Sequence, residues 1–219
     1  MAVNKIQATN TWHAGYRVWL TEQQALENAQ LVANHLGDTW SPTAISALCG
    51  NMRAESSLNP DMYEFGYEWE EDRGYGLVQW TPRSKYWDWA VARALQPREG
   101  DSQLSRIDYE VDNDIQWIAN GHAKRYGLED KYDFSFEYFR NNDEVGLWDM
   151  VEAFMWNYEG PRYDAGQASL PSRIQFAELV STTIDFDSPV VPDKPDKLPY
   201  YITNRHSTNM RRMGVRGRR

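Results

Sequence analysis

Apolar residues recur at helical spacing over most of the first 184 residues. Thr21 and Gln24 form a capping-box pattern ahead of an apolar face that ends near Gly37. Ser41 can cap a second helix, along which an apolar stripe leads to Glu55. Four more stretches predict helices: one that begins at Ser84, then 104–118, 147–158 and 174–180. The pattern predicts a mainly α domain in which the first helix packs on the second.

The segment from Pro60 to Trp80, called the acidic lobe below, breaks this pattern. Its apolar runs are short and interrupted by glycine. Arg73 is the single basic residue among its many acids. Such a segment favours a small hairpin or irregular lobe. We therefore expect an α+β arrangement, in which a helical domain carries a small β or irregular acidic lobe.

Glu55 is the strongest candidate for chemistry. It lies three residues beyond Met52 and seven beyond Leu48, on the apolar face of its helix. The helix should end just after it, because Asn59 before Pro60 disfavours helical geometry. A partly desolvated carboxyl tends to keep its proton and can act as a general acid. The alternative is a solvated glutamate on a fraying last turn.

Three blocks in order make a resemblance specific. They are GNMRAES (50–56), GYGLVQWT (74–81) and FMWNYEGP (154–161). Together they resemble the lysozyme domain of bacteriophage tail proteins, over about residues 22–184. Glu-Ser with Gly-Leu-Val-Gln is more distantly similar to motifs of goose-type lysozymes and soluble lytic transglycosylases. The resemblance implies a lysozyme-like fold that cleaves the β-1,4 bond of peptidoglycan glycan strands.

The resemblance also suggests a second carboxylate. Asp72 is the first choice, because Asp72-Arg73-Gly74 resembles the Asp-Arg-Gly that precedes Gly-Leu-Met-Gln in goose-type lysozymes. Glu64 from the same lobe competes with it. Goose-type enzymes also carry an aspartate two residues after the motif glutamine, where this chain has Thr81. A second carboxylate stabilises or captures the oxocarbenium-like charge that develops in glycoside cleavage.

Four more residues are assigned to substrate binding. Ser56 could hydrogen-bond an N-acetyl group or hold Glu55, and Gln79 offers a donor and an acceptor to a sugar. Thr81 could position a water. Tyr158 could contact the sugar or the Glu55 carboxyl, or be a core tyrosine. No cofactor and no metal are expected.

Other activities remain as alternatives. Lytic transglycosylation breaks the same bond, with the muramic C6 hydroxyl in place of water. A cysteine-histidine peptidase would need Cys49, but this thiol lies on an apolar helix face, where cysteine usually behaves as a small hydrophobe. The four histidines show no compact metal-ligand spacing. A non-catalytic tail protein that binds glycan or serves a structural role is the third alternative.

Composition limits where the protein works. The single cysteine excludes an intramolecular disulfide. The first 20 residues lack the apolar run of a secretory signal, and no run could span a bilayer. We expect synthesis in the host cytoplasm without a signal peptide, and no membrane insertion. The resemblance places the finished protein in the virion, in the phage tail. The many aromatic residues, Trp 10 and Tyr 13, suit sugar stacking as well as a core.

The C-terminal region changes character. After a catalytic domain over 1–184, residues 185–199 are rich in proline and charge and predict an extended linker. Residues 200–219 form a basic tail with six arginines and no acid. Subtracting these arginines from the formal net charge of −9 leaves −15 for the rest of the chain. We expect the tail to dock on other phage tail proteins; nucleic acid is a less favoured partner.

Overall fold

The computed structural model describes residues 6, 10–64 and 70–187 and is mainly helical, as the periodicity predicts. The helices in chain order are α1 (Glu22–Leu36), α2 (Pro42–Ser56), α3 (Ser84–Val91), α4 (Gly100–Asp112), α5 (Gly121–Tyr126), α6 (Phe136–Asn141), α7 (Leu147–Phe154) and α8 (Tyr163–Thr183). A π-helical segment, π1 (Met155–Glu159), continues α7 directly.

The first two helices begin as the sequence predicts. The Thr21 hydroxyl accepts a hydrogen bond from the backbone N–H of Gln24, whose side chain reaches back to the backbone of Thr21. The Ser41 hydroxyl accepts from the backbone N–H of Ala44. These bonds satisfy amide groups that have no partner within the helix. At the other end of α2, Ser57 adopts a left-handed conformation that stops the helix just after Glu55.

Helix α2 is the centre of the domain and packs against α1, α7 and α8. Most of its residues are buried, including Asn51, whose amide donates to the Val151 carbonyl of α7. Its contact with α8 is especially close at Gly50. A Cβ atom there would lie 2.5 Å from the carbonyl oxygen of Arg173, so a larger residue would push α8 away. The absence of a side chain at Gly50 therefore brings Arg173 beside the C-terminal half of α2.

The predicted helix over 104–118 begins earlier and ends six residues sooner than expected. Helix α4 ends at Asp112, and the chain then turns through Asp114 and Gln116, both with positive φ. Asp and Asn tolerate such conformations better than most residues, and their side chains compete for backbone hydrogen bonds. The apolar spacing continues past this break, which is why periodicity alone extended the helix.

The last helix is much longer than the stretch 174–180. Helix α8 begins at Tyr163 and includes Pro171, which would usually mark a helix boundary. The short helices α5 and α6, of six residues each, were not predicted. Too few turns are present in them for a 3.6-residue period to show.

The acidic lobe is irregular with minimal β-structure, which confirms the expected fold class. Among its described residues, Tyr75 pairs in antiparallel bridges with both Tyr63 and Trp80. The rings of Tyr63 and Tyr75 pack edge to face, with centroids 4.7 Å apart. Residues 65–69 lie outside the described part of the chain. They include Glu68, one of the acids of the lobe.

The linker beyond residue 187 and the basic tail at 200–219 also lie outside the described residues. Their predicted roles as a spacer and a docking segment stay predictions. Within the described ranges, no helix combines the length and apolar character needed to cross a membrane.

Candidate active site

A groove of about 910 Å³ opens between the end of α2, the acidic lobe and π1. Five of the seven predicted site residues line it: Glu55, Glu64, Gln79, Thr81 and Tyr158. Its remaining walls carry a mixture of aromatic, basic and amide side chains, among them Trp19, Trp117, Arg17, Lys85, Arg125 and Gln116. The structure thus brings together predicted site residues that lie up to 103 positions apart in the sequence, from Glu55 to Tyr158.

Glu55 faces the groove from the last turn of α2. Its side chain is 24% exposed, which agrees with the partial burial that the apolar stripe predicts. The carboxylate oxygen Oε1 accepts a hydrogen bond of 2.5 Å from Nη2 of Arg173. Glu55 is therefore held in a defined position at the boundary between core and groove, rather than free on a fraying turn.

Arg173 joins Glu55 to a second glutamate from the third sequence block. The guanidinium is 4% exposed and also donates from Nη1 to Glu159 Oε2 at 2.6 Å and to Asn51 Oδ1 at 2.8 Å. Its Nε donates to the Ser169 hydroxyl at 3.1 Å. Two carboxyls thus share one buried cation, in an arrangement called the Glu55–Arg173–Glu159 cluster below.

The environment of Glu159 favours its protonated form. Burial raises the pKa of Glu159 well above its usual range; the Arg173 charge opposes this, whereas contact with Glu55 adds to it. The side chain is only 6% exposed, although the residue lines the groove. A carboxyl whose surroundings favour its protonated form therefore lies directly beside Glu55.

The opposite wall of the groove belongs to the acidic lobe. Glu64 Oε2 accepts from the Gly74 backbone N–H at 3.0 Å, and its side chain is 39% exposed. The Gln79 amide donates to the carbonyls of Met62 and Gly76, which fixes its orientation. The Thr81 hydroxyl donates to the Gln79 carbonyl at 3.0 Å. Glu64, Gln79 and Thr81 form a polar surface on this wall of the groove.

Asp72, the first choice for the second carboxylate, does not line this groove. Its side chain is 78% exposed and its nearest cation is Arg73, at 4.0 Å. Asp72 lies in the turn just before Gly74, whereas Glu64 pairs with Gly74 through the backbone. The turn carries Asp72 to the surface while the pairing holds Glu64 at the groove. Of the two candidate carboxylates, Glu64 therefore lies at the groove and Asp72 does not.

Ser56 also lies elsewhere than its predicted role requires. It is fully buried, and its hydroxyl lies within hydrogen-bond distance of the carbonyl oxygens of Met52, at 3.0 Å, and Leu77, at 2.9 Å. It faces away from the groove because it follows Glu55 by one helical position, about 100° around the axis. In this structure Ser56 connects α2 to the GLVQ turn and contacts neither the groove nor Glu55.

Tyr158 lines the groove with its ring but does not reach Glu55. Its hydroxyl donates to Glu110 Oε2 at 2.5 Å, beneath the groove surface. Glu110 Oε1 accepts from Trp80 Nε1 at 3.1 Å and from Arg106 Nε at 2.8 Å. Burial raises the pKa of Glu110, and these hydrogen bonds oppose the rise. This network connects the second and third sequence blocks beneath the groove.

Sequence patterns did not single out Arg173, which contacts Glu55, or Trp19, which lines the groove. Arg173 lies on the buried face of α8 with Ala177 and Val180, so it is a charge within an apolar stripe, the same signal that identified Glu55. Trp19 lines the groove and is 63% exposed. It precedes α1 in an irregular segment, where no local pattern marks it.

The peptidase alternative finds no support in these contacts. Cys49 is fully buried on α2, and burial raises the pKa of its thiol, the opposite of what a thiolate nucleophile requires. Among the described residues, no group of three or more histidine, cysteine or acidic side chains could hold a metal ion.

A helical domain with a glutamate at a helix end, facing an acidic lobe across a groove, defines the lysozyme-like class. The chain belongs to the phage tail lysozyme family, which matches residues 27–183. It is also 43% identical over 101 residues to Morphogenesis protein 1 of Bacillus phage B103. That alignment covers 46% of this chain and 28% of the relative, so the similarity is to one part of that protein.

Proposed function

We propose that this domain cleaves the β-1,4 glycosidic bond of peptidoglycan glycan strands as a lysozyme carried by the phage virion, to breach the bacterial wall during infection. The observation that carries the proposal is the position of Glu55. It is a partly buried carboxyl at a helix end, which contacts the buried Arg173 and lines the groove. Membership of the phage tail lysozyme family supports the same activity.

In this mechanism Glu55 is the general acid. Cleavage of a glycosidic bond needs a proton for the leaving oxygen, and a positioned carboxyl supplies it. After proton transfer the Glu55 carboxylate faces the Arg173 guanidinium at hydrogen-bond distance, so its new charge is stabilised without rearrangement.

Glu64 takes the role of the second carboxylate. It is the acid of the lobe that lines the groove opposite α2, and more than a third of its side chain is open to solvent. A negative charge there stabilises the positive charge that develops at the anomeric carbon, or directs a water towards it. The Thr81 hydroxyl and the Gln79 amide lie on the same wall and can orient that water and the sugar.

Aromatic side chains supply the binding surface for the glycan. Trp19 presents a largely exposed ring at the groove, and Trp117 and Tyr63 contribute further aromatic surface. Such rings pack on the apolar faces of sugars while their polar edges remain hydrated. A groove lined in this way fits a polysaccharide chain better than a compact small molecule.

Glu55→Gln tests the proposal. The variant keeps the shape of the side chain but cannot donate a proton, so glycan cleavage should fall by at least about a hundredfold. Glu137→Gln is the matched control, because Glu137 lies on the exposed face of α6 with its side chain 71% exposed. Release of soluble fragments from purified peptidoglycan measures both rates. Wild-type cleavage by Glu55→Gln would show that Glu55 is structural, and cleavage by neither the wild type nor the variant would favour the non-catalytic alternative.

The products distinguish hydrolysis from transglycosylation. Hydrolysis leaves a reducing end, whereas attack by the muramic C6 hydroxyl leaves a 1,6-anhydro end that is lighter by one water. We expect reducing ends, because Glu64 and Thr81 provide polar groups at the groove that can direct a water. Mass spectrometry of the fragments makes the distinction, and anhydro ends would assign the transglycosylase reaction instead.

A further inference from the structure

The Glu55–Arg173–Glu159 cluster contains two carboxyls and one guanidinium. Arg173 contacts Glu55 at 2.5 Å and Glu159 at 2.6 Å, and both Arg173 and Glu159 are almost fully buried. With both carboxyls ionised the cluster would carry one uncompensated negative charge away from water. Such a charge is strongly disfavoured, and a single proton within the cluster makes it neutral.

The hydrogen bonding of Glu159 indicates where this proton lies. Its Oε2 accepts from Arg173, but its buried Oε1 has no hydrogen-bond partner among the described residues. A buried carboxylate oxygen without a donor is costly, whereas a protonated carboxyl can itself donate. The acidic neighbour in electrostatic contact with Glu159 is Glu55. The two carboxyls are therefore placed to share one proton.

We propose that Glu159 is a positioning residue that keeps one proton in the cluster with Glu55 and Arg173, so that Glu55 can be protonated when a glycan enters the groove. This inference rests on the proposed function of Glu55 as the general acid. It adds a source for the proton that the general acid transfers, in a carboxyl that shares the Arg173 guanidinium with Glu55. The proton belongs to the pair of carboxyls rather than to one of them, and Arg173 balances the remaining negative charge.

The proton that leaves the cluster is replaced within one reaction. The Glu55 O–H bond breaks as its proton moves to the glycosidic oxygen, and the bond from that oxygen to the anomeric carbon breaks with it. The cluster then carries one negative charge, next to the positive charge that develops on the sugar. The attacking hydroxyl, from water or from muramic C6, forms its bond to the anomeric carbon and returns its proton to the cluster.

The pH profile of Glu159→Gln tests the inference. Glutamine cannot take up or release the shared proton, so the cluster would no longer hold that proton next to the groove. The alkaline limb of the cleavage profile should therefore move to lower pH, with activity partly restored in acid. Glu152→Gln is the matched control: Glu152 is also a largely buried glutamate, seven residues earlier in the same helical stretch, and contacts Lys131 rather than the cluster. Its profile should keep the wild-type limb.

Folding stability gives a readout that does not depend on activity. The native state retains a proton on Glu159 that the unfolded chain releases in the ordinary carboxyl range, so wild-type stability should decline as pH rises from that range through the raised pKa of Glu159. The wild-type decline corresponds to one proton released on unfolding. Glu159→Gln should lack it.

The pKa of the control residue, Glu152, is shifted in the opposite direction to that of Glu159. Burial works against ionisation of Glu152, but hydrogen bonds from Lys131, Trp156 and Tyr132 outweigh it and lower the pKa of Glu152. Its contribution to stability is therefore lost in acid, and Glu152→Gln should keep the decline towards high pH. Urea unfolding at a series of pH values measures both variants against the wild type.

Three results would overturn the inference. The first is a Glu159→Gln enzyme with an unchanged alkaline limb, whether fully active or uniformly slower. The second is a Glu159→Gln protein that keeps the wild-type decline in stability. If this variant does not fold, infrared titration of the wild type decides, and the absence of a protonated carboxyl at neutral pH refutes the proposal. An active Glu55→Gln would instead refute the proposed function, while the stability data would still report on the shared proton.

Discussion

The two walls of the groove are built by different means. On the helical wall, Glu55 and Glu159 are held by a buried arginine from α8, and Gly50 allows α8 to approach α2 closely enough for this contact. On the lobe wall, Glu64 is held by one backbone N–H and a distant Arg73, and more than a third of its side chain is exposed. One carboxylate site depends on a packed helix pair, and the other depends on a short irregular turn.

This difference follows from what each wall has to do. A proton donor must keep its proton near neutral pH, which requires burial and a balanced set of neighbouring charges. A carboxylate that stabilises positive charge or directs water must instead stay ionised and hydrated, which a surface lobe allows. In the proposed mechanism the two walls therefore separate acid and base roles by environment, although both use glutamate.

The largest effect is expected from removing the shared cation of the helical wall. Arg173→Met leaves Glu55 and Glu159 without their cation, which should destabilise the protein by about 3–5 kcal/mol. The loss should shrink at low pH, because protonated carboxyls no longer need the cation. Urea unfolding measures it, with Arg162→Met as control, since Arg162 precedes α8 and its side chain is 87% exposed. A similar loss in both variants would mean that the cluster adds no special stability.

A smaller effect is expected on the lobe wall, and it ranks the two candidate carboxylates. Glu64→Gln should slow cleavage at least about tenfold, roughly 1.4 kcal/mol of transition-state stabilisation, with glycan binding kept. Asp72→Asn should change the rate little, because Asp72 lies outside the groove. Cleavage rates and binding of a soluble glycan oligomer measure the two effects. The reverse ranking would restore Asp72, the choice that the motif suggests. Wild-type rates in both variants would leave Glu55 as the sole essential carboxyl.

The smallest effect concerns Ser56, which connects the two walls below the groove. Ser56→Ala removes the hydrogen bond to the Leu77 carbonyl and should lower stability by about 1 kcal/mol, without raising KM for a soluble glycan. Ser181→Ala is the control, because Ser181 is exposed on α8 and bonds only within its own helix. A raised KM with unchanged stability would instead return Ser56 to the substrate-binding role that its motif suggests.

Much of this protein follows from local sequence. The capping residues Thr21 and Ser41 set the starts of α1 and α2, and the apolar stripe of α2 identified Glu55 as a half-buried carboxyl. The glycine-punctuated acidic segment predicted an irregular lobe correctly. These features depend on neighbours within a few positions along the chain, where spacing and side-chain chemistry are sufficient.

Only the tertiary structure decided how these elements meet. Arg173 lies 118 residues after Glu55, and no local pattern pairs the two; their contact exists because α8 packs closely on α2 at Gly50. The choice between Glu64 and Asp72 depends on which one a turn directs towards the groove, and the burial of Ser56 depends on the GLVQ turn that packs over it. Sequence alone identified Glu55, Glu64 and Asp72 as candidate carboxyls. Long-range packing decided which of them share a groove, because proximity in space is set by helix contacts and not by position along the chain.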